Sequence, residues 1–203
     1  SGLSRWNYKD DGRFTVSDGE VYGVAKYTGF ISPWAKEAVS EAKKLKIINA
    51  DADCNYTAFI SREAFCEMAF NYIENASDYA VGTAKSPFAD TDNEHIAVLN
   101  EMGIINGKSE TEFAPNDSLT REEAAAILCR LIGKLYPNAA ATERYFEFAD
   151  GAQISDWASG PIQTICNMGI MNGVGDNCFA PKDLYTAEQA IATLVRVHSG
   201  LSR

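Results

Sequence analysis

The sequence predicts a mainly α-helical chain assembled from one helix-loop-helix unit used more than once. Two observations carry this. The stretch GIINGKSETEFAPNDSLTREEAAAIL, starting at Gly103, returns as GIMNGVGDNCFAPKDLYTAEQAIATL from Gly169, and a degenerate version, LKIINADADCNYTAFISREAFCEMAF, precedes both. On either side of these loops apolar residues recur at helical spacing. A third observation confines β structure to the start: Asp11-Gly12 and Asp18-Gly19 lie among the short β-prone runs RFTV and EVYGV, a hairpin pattern.

In chain order, residues 1–28 are expected to be that β segment, either a cap on the first unit or the tail of a preceding domain. A first, degenerate unit is placed at 29–80. Ser32 and Pro33 make an N-cap and first-position pair, and Trp34, Ala38, Val39, Ala42 and Leu45 form the stripe of its first helix. Its second helix carries Phe65, Met68, Ala69, Tyr72 and Ile73. The second unit, 81–138, lacks the tryptophan, begins its first helix late, near Glu94, and presents Ala124, Ile127, Leu128, Leu131 and Leu135 on its second helix. The third, 139–203, runs its first stripe from Trp157 through Ile162, Ile165 and Met168, then Ala190, Leu194 and Val197. Gly103 and Gly169 fall where a helix would end on a positive φ, and Lys46 must do the same with a β-carbon, at about 1 kcal/mol. Ala50 replaces the other glycine of the first unit. A single hairpin cannot bury its stripe, so the units must pack on one another.

With 203 residues, 46% of them apolar, the chain can bury a core. A net charge of −10 repels polyanions, which argues against nucleic acid and anionic lipid as partners; an anionic ligand would need a local cationic pocket. No run approaches the roughly 20 apolar residues of a membrane span, so membrane insertion is not expected, and SGLSRWNYKDDGRF has no signal-peptide core; an exported origin requires a processed or excised piece. Five dispersed cysteines do not form a disulfide framework, and Cys66 and Cys129 read as small buried hydrophobes. His95 and His198 have no metal-type partner at ligand spacing, HExxH, GxSxG and Walker patterns are missing, and the Asp51/Asp53 and Asp90/Asp92 pairs lack the rest of a calcium loop. No cofactor, metal or catalytic residue is therefore expected, although glycosidase carboxylate pairs are defined by spatial separation and stay open at this point.

The strings FAD at Phe88 and Phe148, WA at Trp34 and Trp157, GIING or GIMNG, FAP and TREE, taken in order over about residues 30–198, resemble the S-layer homology repeat. The resemblance implies three units around a pseudo-threefold axis with a central helix bundle. It also implies grooves between units that bind a secondary cell-wall polysaccharide, typically pyruvylated, or peptidoglycan, so that an exported protein is held non-covalently on a bacterial wall or cell surface by a monomeric pseudo-trimer within a larger chain. The other reading of the same degenerate repeats is a structural spacer or protein-docking module.

Thr120-Arg121-Glu122-Glu123 reads first as a capping box, in which Thr120 and Glu123 satisfy backbone donors. Ser61-Arg62-Glu63-Ala64 keeps the arginine without the N3 partner, and Thr186-Ala187-Glu188-Gln189 keeps the box without the arginine. An arginine the cap does not need, at a helix N-terminus with free N–H groups, suits a carboxylate such as a pyruvyl group; the alternative is pairing with Glu63 or Glu122. The candidate ligand contacts are Arg62 and Arg121 with Ser61, Thr120 and Glu122 beside them. Trp34 and Trp157 either stack a sugar face or pack between units. Asn106, Gly107, Asn172 and Gly173 are either turn residues with special backbone angles or backbone contacts to ligand. On this reading Arg121→Ala weakens wall binding and leaves Tm within a few degrees, and the groove that would use Ala187 is weak or empty. Asp90 and Asp150 read as turn or helix-cap acids.

Overall fold

The computed structural model describes residues 7–8, 14–15, 30–48, 55–139 and 144–201. Asn49, Ala50, Asp51, Asp53, Cys54 and both Asp-Gly pairs lie outside the described residues. Near the N-terminus β1 (Asn7–Tyr8) pairs antiparallel with β2 (Phe14–Thr15), Asn7 opposite Thr15. The remaining described elements are helical: α1 (Lys36–Lys44), entered through the 3-10 turn Pro33–Ala35, then α2 (Arg62–Ala76), α3 (Glu94–Glu101), α4 (Arg121–Leu135), α5 (Asp156–Asn167) and α6 (Ala187–Leu201). The mainly α class holds, and α3 does start late, on the N-cap Asn93.

Each first helix stops on a residue in the left-handed region: Lys46 at φ 56°, Gly103 at 74° and Gly169 at 69°. The chain then reverses, and Ile47, Ile104 and Ile170 return a backbone N–H to a carbonyl five residues back. This reversal buries the apolar pair behind it.

The units close on one another in a ring. Leu119 N donates to Ile60 O (3.0 Å), Tyr185 N to Leu119 O (2.8 Å) and Ile60 N to Tyr185 O (2.8 Å), three equivalent bonds that return to their start. Around them, the first free N–H groups of α2, α4 and α6 are taken by the loop of the next unit. Arg62 N, Arg121 N and Ala187 N donate to Asp117 O, Asp183 O and Ala58 O, and Glu63 N, Glu122 N and Glu188 N donate to Pro115 O, Pro181 O and Tyr56 O. Packing has the same order, since α2 lies on α3, α4 on α5 and α6 on α1, with α2 also against α6. The arrangement has the pseudo-threefold character expected from the resemblance, with α2, α4 and α6 on the inside.

Ser32 is the expected N-cap residue, but its side chain does not cap its own turn. Its N–H and hydroxyl both reach Glu188 (3.0 and 2.8 Å). Ser155 treats Glu122 the same way (3.1 and 3.0 Å), and Asn93 donates to Glu63 (3.0 Å). The glutamate after each TREE-type cap position is thus an inter-unit tie; Glu122 and Glu188 are buried for that reason.

Asp150 stands at the N-cap position of the 3-10 turn Gly151–Gln153, but neither its side chain nor that of Asp90 caps a helix. Asp90 accepts from Phe113 N (2.9 Å) and Ala114 N (2.7 Å), and Asp150 accepts from Phe179 N and Ala180 N at the same distances. They pin the FAP loops, whose alanines sit at φ 59° and 56°. Hydrogen bonds from Phe113 and Ala114 hold the Asp90 carboxyl below its ordinary 3.8. A depressed carboxyl stabilises the fold above its unfolded pKa and loses that contribution as pH falls through the folded one. Acid titration of stability below about pH 4 is therefore expected to be shallower in Asp90→Asn than in the parent, read from urea midpoints; parallel curves would show the carboxylate is not coupled to folding.

Candidate functional site: two inter-unit clefts

Two clefts between units collect the sequence-predicted residues. Cleft A, about 470 Å³, is lined by Arg62 from the first unit, Asn106, Gly107, Lys108, Glu123, Ile127 and Arg130 from the second, and Trp157 from the third. Cleft B, about 400 Å³, repeats the pattern one step on: Arg121, then Asn172, Gly173, Val174, Gln189, Thr193 and Arg196, then Trp34, with Tyr185 added. Both volumes fall in the range of small-ligand sites. A larger cleft of about 700 Å³ lies between the far ends of the helices, among Leu45, Tyr79, Tyr136 and His198, and gathers none of these residues.

Arg62 and Arg121 are 5% and 6% exposed, so the expectation of an exposed arginine, free or paired with its neighbouring glutamate, is corrected. Arg62 Nε donates to Phe113 O (2.9 Å) and Nη2 to Asn106 O (3.0 Å); Arg121 makes the same bonds to Phe179 O (3.0 Å) and Asn172 O (2.9 Å). Each guanidinium lies over a buried phenylalanine ring, Phe113 at 4.6 Å and Phe179 at 5.0 Å. Burial pulls the Arg121 pKa down from its usual value. Each arginine therefore joins two units while its remaining N–H groups form the cleft floor. The dipole argument also changes: the N–H groups thought free at these helix starts are occupied by the next unit's carbonyls and by the caps, so cleft charge comes from side chains.

The caps are as read. Ser61 Oγ accepts from Ala64 N, Thr120 and Glu123 form the reciprocal box, and Thr186 and Gln189 do the same. Trp34 and Trp157 are each 55% exposed, so they do not pack as buried wedges between units; each leaves an indole on the wall of a cleft built by the other two units. Gly107 and Gly173 do not have positive φ. Gly107 is needed for space, because a Cβ there would lie 2.4 Å from Ser109 O and 2.5 Å from the Phe88 ring. Gly107→Ala is expected to destabilise by about 1–3 kcal/mol through overpacking and to shift the Asn106 carbonyl that holds Arg62; denaturant unfolding checks it, and an unchanged midpoint would mean the loop gives way freely.

Sequence reading missed the second arginine of each cleft. Arg130 Nε donates to Ile104 O (2.7 Å) and Arg196 Nη1 to Ile170 O (3.0 Å), and both sit at the tenth position of their helix. Their recurrence inside an otherwise apolar repeat was the available signal. The tenth residue of α2 is Asn71, which keeps the bond to Ile47 O (3.2 Å) without the charge. The third junction therefore lacks the cap arginine (Ala187), the helix arginine (Asn71) and the tryptophan, His95 being the second residue of α3 where α5 has Trp157. In its place Glu67 pairs with His95 (2.8 Å) and accepts from Asn93 (2.8 Å).

The four cysteines among the described residues, Cys66, Cys129, Cys166 and Cys178, are in no disulfide, and burial pushes the Cys66 thiol up to about 12, as expected of a packing residue. No described helix is long and apolar enough to cross a membrane, and no group of three or more metal-ligand side chains occurs among the described residues.

The S-layer homology domain model matches residues 87–125 and 147–191, and the chain is similar to that family over these two segments. Similar proteins include exoglucanase XynX of Acetivibrio thermocellus (29% identical, 79% of this chain, 15% of the relative), the amylopullulanase of Thermoanaerobacterium thermosulfurigenes (30%, 79% and 9%) and the surface-layer 125 kDa protein of Lysinibacillus sphaericus (32%, 70% and 12%). The chain thus spans less than a sixth of the length of each of these relatives.

Proposed function

We propose that this module attaches a larger polypeptide to a bacterial cell wall without a covalent bond, by binding an anionic wall saccharide in clefts A and B. The observation that carries the reading is the recurrence of one constellation, an arginine pair, an Asn-Gly backbone and an exposed indole, in two clefts that each draw on three units. A guanidinium pair recognises a carboxylate or phosphate, and an exposed indole offers a flat apolar surface to a sugar ring. Secondary wall polysaccharide, including its pyruvylated form, suits this chemistry; peptidoglycan is the other wall polymer with carboxylates. The family match and relatives named for surface layers and cell walls support an extracellular, wall-associated setting. The module acts by binding; the enzymes among its relatives share with it only a small part of their length.

A single saccharide contact near the millimolar scale is worth about −4 kcal/mol, so firm attachment comes from two clefts engaging repeated epitopes of one polymer. Pull-down with purified walls, intact and stripped of secondary polymer by acid, tests this: binding lost on stripping supports the polysaccharide, and binding retained on stripped walls supports peptidoglycan. Failure to bind either favours the second reading, a spacer or docking module, for which the arginine-free third junction speaks.

A further inference from the structure

Clefts A and B share a plan but differ in charge at one position. In cleft A the third residue of α4 is Glu123, whose Oε2 accepts from Thr120 N (2.9 Å) as the cap while Oε1 lies 3.6 Å from Arg62 Nη1. Of the other two cations of that cleft, the exposed Lys108 is paired with Asp117 and Arg130 donates to Ile104 O. Cleft A therefore sets a carboxylate beside its floor guanidinium, and it offers an acceptor as well as donors.

In cleft B the equivalent residue is Gln189. Its Oε1 accepts from Thr186 N (3.2 Å), so the cap survives, and its second polar atom is a neutral amide donor where cleft A has an anionic oxygen. Among the described residues no carboxylate comes within 4.0 Å of Arg121; Asp183 and Asp150 act on it only from further away. Arg196, on the same wall, is exposed. Lys108 is replaced by Val174, so cleft B has fewer cations yet more of their charge is uncompensated.

We propose that the two clefts are specialised: cleft B is the seat for an acidic sugar carrying a carboxylate or phosphate, and Glu123 makes cleft A a weaker anion site that favours hydroxyl-rich, neutral sugar units. The proposal rests on the binding reading above and adds the assignment of ligand class and rank to each cleft. A polymer that alternates acidic and neutral residues would then meet both clefts in one orientation and not in the reverse.

The test exploits the capping role that Glu and Gln already share in this chain, which makes Glu123→Gln and Gln189→Glu conservative for the fold; amide spectra of both variants check that. Trp157 and Trp34 report separately on clefts A and B through their indole ¹⁵N resonances, assigned with Trp→Phe variants. Methyl β-D-glucuronide is the acidic probe and methyl β-D-glucoside the neutral one. The expected result is that glucuronide moves the Trp34 signal with a midpoint about fivefold lower than that of Trp157, the size of effect one nearby charge produces in a solvated site. Glu123→Gln should draw the two midpoints together, and Gln189→Glu should raise that of Trp34 by a similar factor, with the glucoside midpoints unchanged. Equal or reversed midpoints, or swaps without effect, overturn the specialisation and leave the clefts as sugar sites; silence of both indoles towards both probes overturns the cleft reading itself along with it.

Discussion

Arg121→Ala is expected to lower the melting midpoint by roughly 10 °C as well as to remove binding in cleft B. The guanidinium is 6% exposed and supplies the partners of two carbonyls, Phe179 O and Asn172 O. Leaving a buried acceptor unpaired costs about 1–3 kcal/mol, and in a domain of this size each kcal/mol moves Tm by about 2–4 °C. This reverses the sequence-based expectation of a near-neutral Tm, which took the arginine for an exposed ligand contact. Calorimetry alongside wall binding at a temperature where the variant is still folded separates the two effects. A melting midpoint within two or three degrees of the parent would mean that the clamp carries little of the junction. Arg121→Lys is a useful companion, since it keeps the charge and loses the fork that reaches both carbonyls.

Phe113→Ala is expected to cost about 3–5 kcal/mol, the usual range for truncating a buried phenylalanine. The ring is fully buried, lies 5.4 Å from Phe88 and supports Arg62 from below at 4.6 Å. Its loss removes packing from the second unit and the platform of cleft A together, so Trp157 should stop responding to ligand while Trp34 continues. Phe113→Leu should cost far less than the alanine variant. Urea unfolding with the two indoles as local reporters checks both points; simultaneous loss of the Trp34 response would show that the junctions fail as one.

Much of the architecture was readable before any coordinates, because repetition compares the chain with itself. Helix stops at Lys46, Gly103 and Gly169, the caps at Ser61, Thr120 and Thr186 and the late start of α3 are local matters, decided by backbone angles and neighbouring donors. The clefts were legible as a residue set and not as a geometry. Arg62, Asn106 and Trp157 come from three units, and nothing in one linear string says that a guanidinium near one helix start will lie beneath the loop of the next unit. For the same reason burial of the arginines and the role of Glu122 as a tie to Ser155 and Lys182 were missed, and the choice between stacking and packing for the two indoles stayed open. Asp90 and Asp150 show the limit most plainly. Their partners are 23 to 30 residues away in sequence, far beyond the span over which cap and turn signals operate.

The ring of units also dictates an order of events for a growing chain. Ser32 meets Glu188 across 156 residues, and α1 rests on α6, so the first unit has no finished surface until the last helix has been made. Contacts of such separation are slow to form because the intervening chain must first be brought together. An open stack of repeats could settle one unit after another as each emerged; here the stripe of α1 and part of α2 stay uncovered until α6 packs against both. A chain closed in this way gains its last inter-unit contacts late, so α1 and α6 should become protected from amide exchange together.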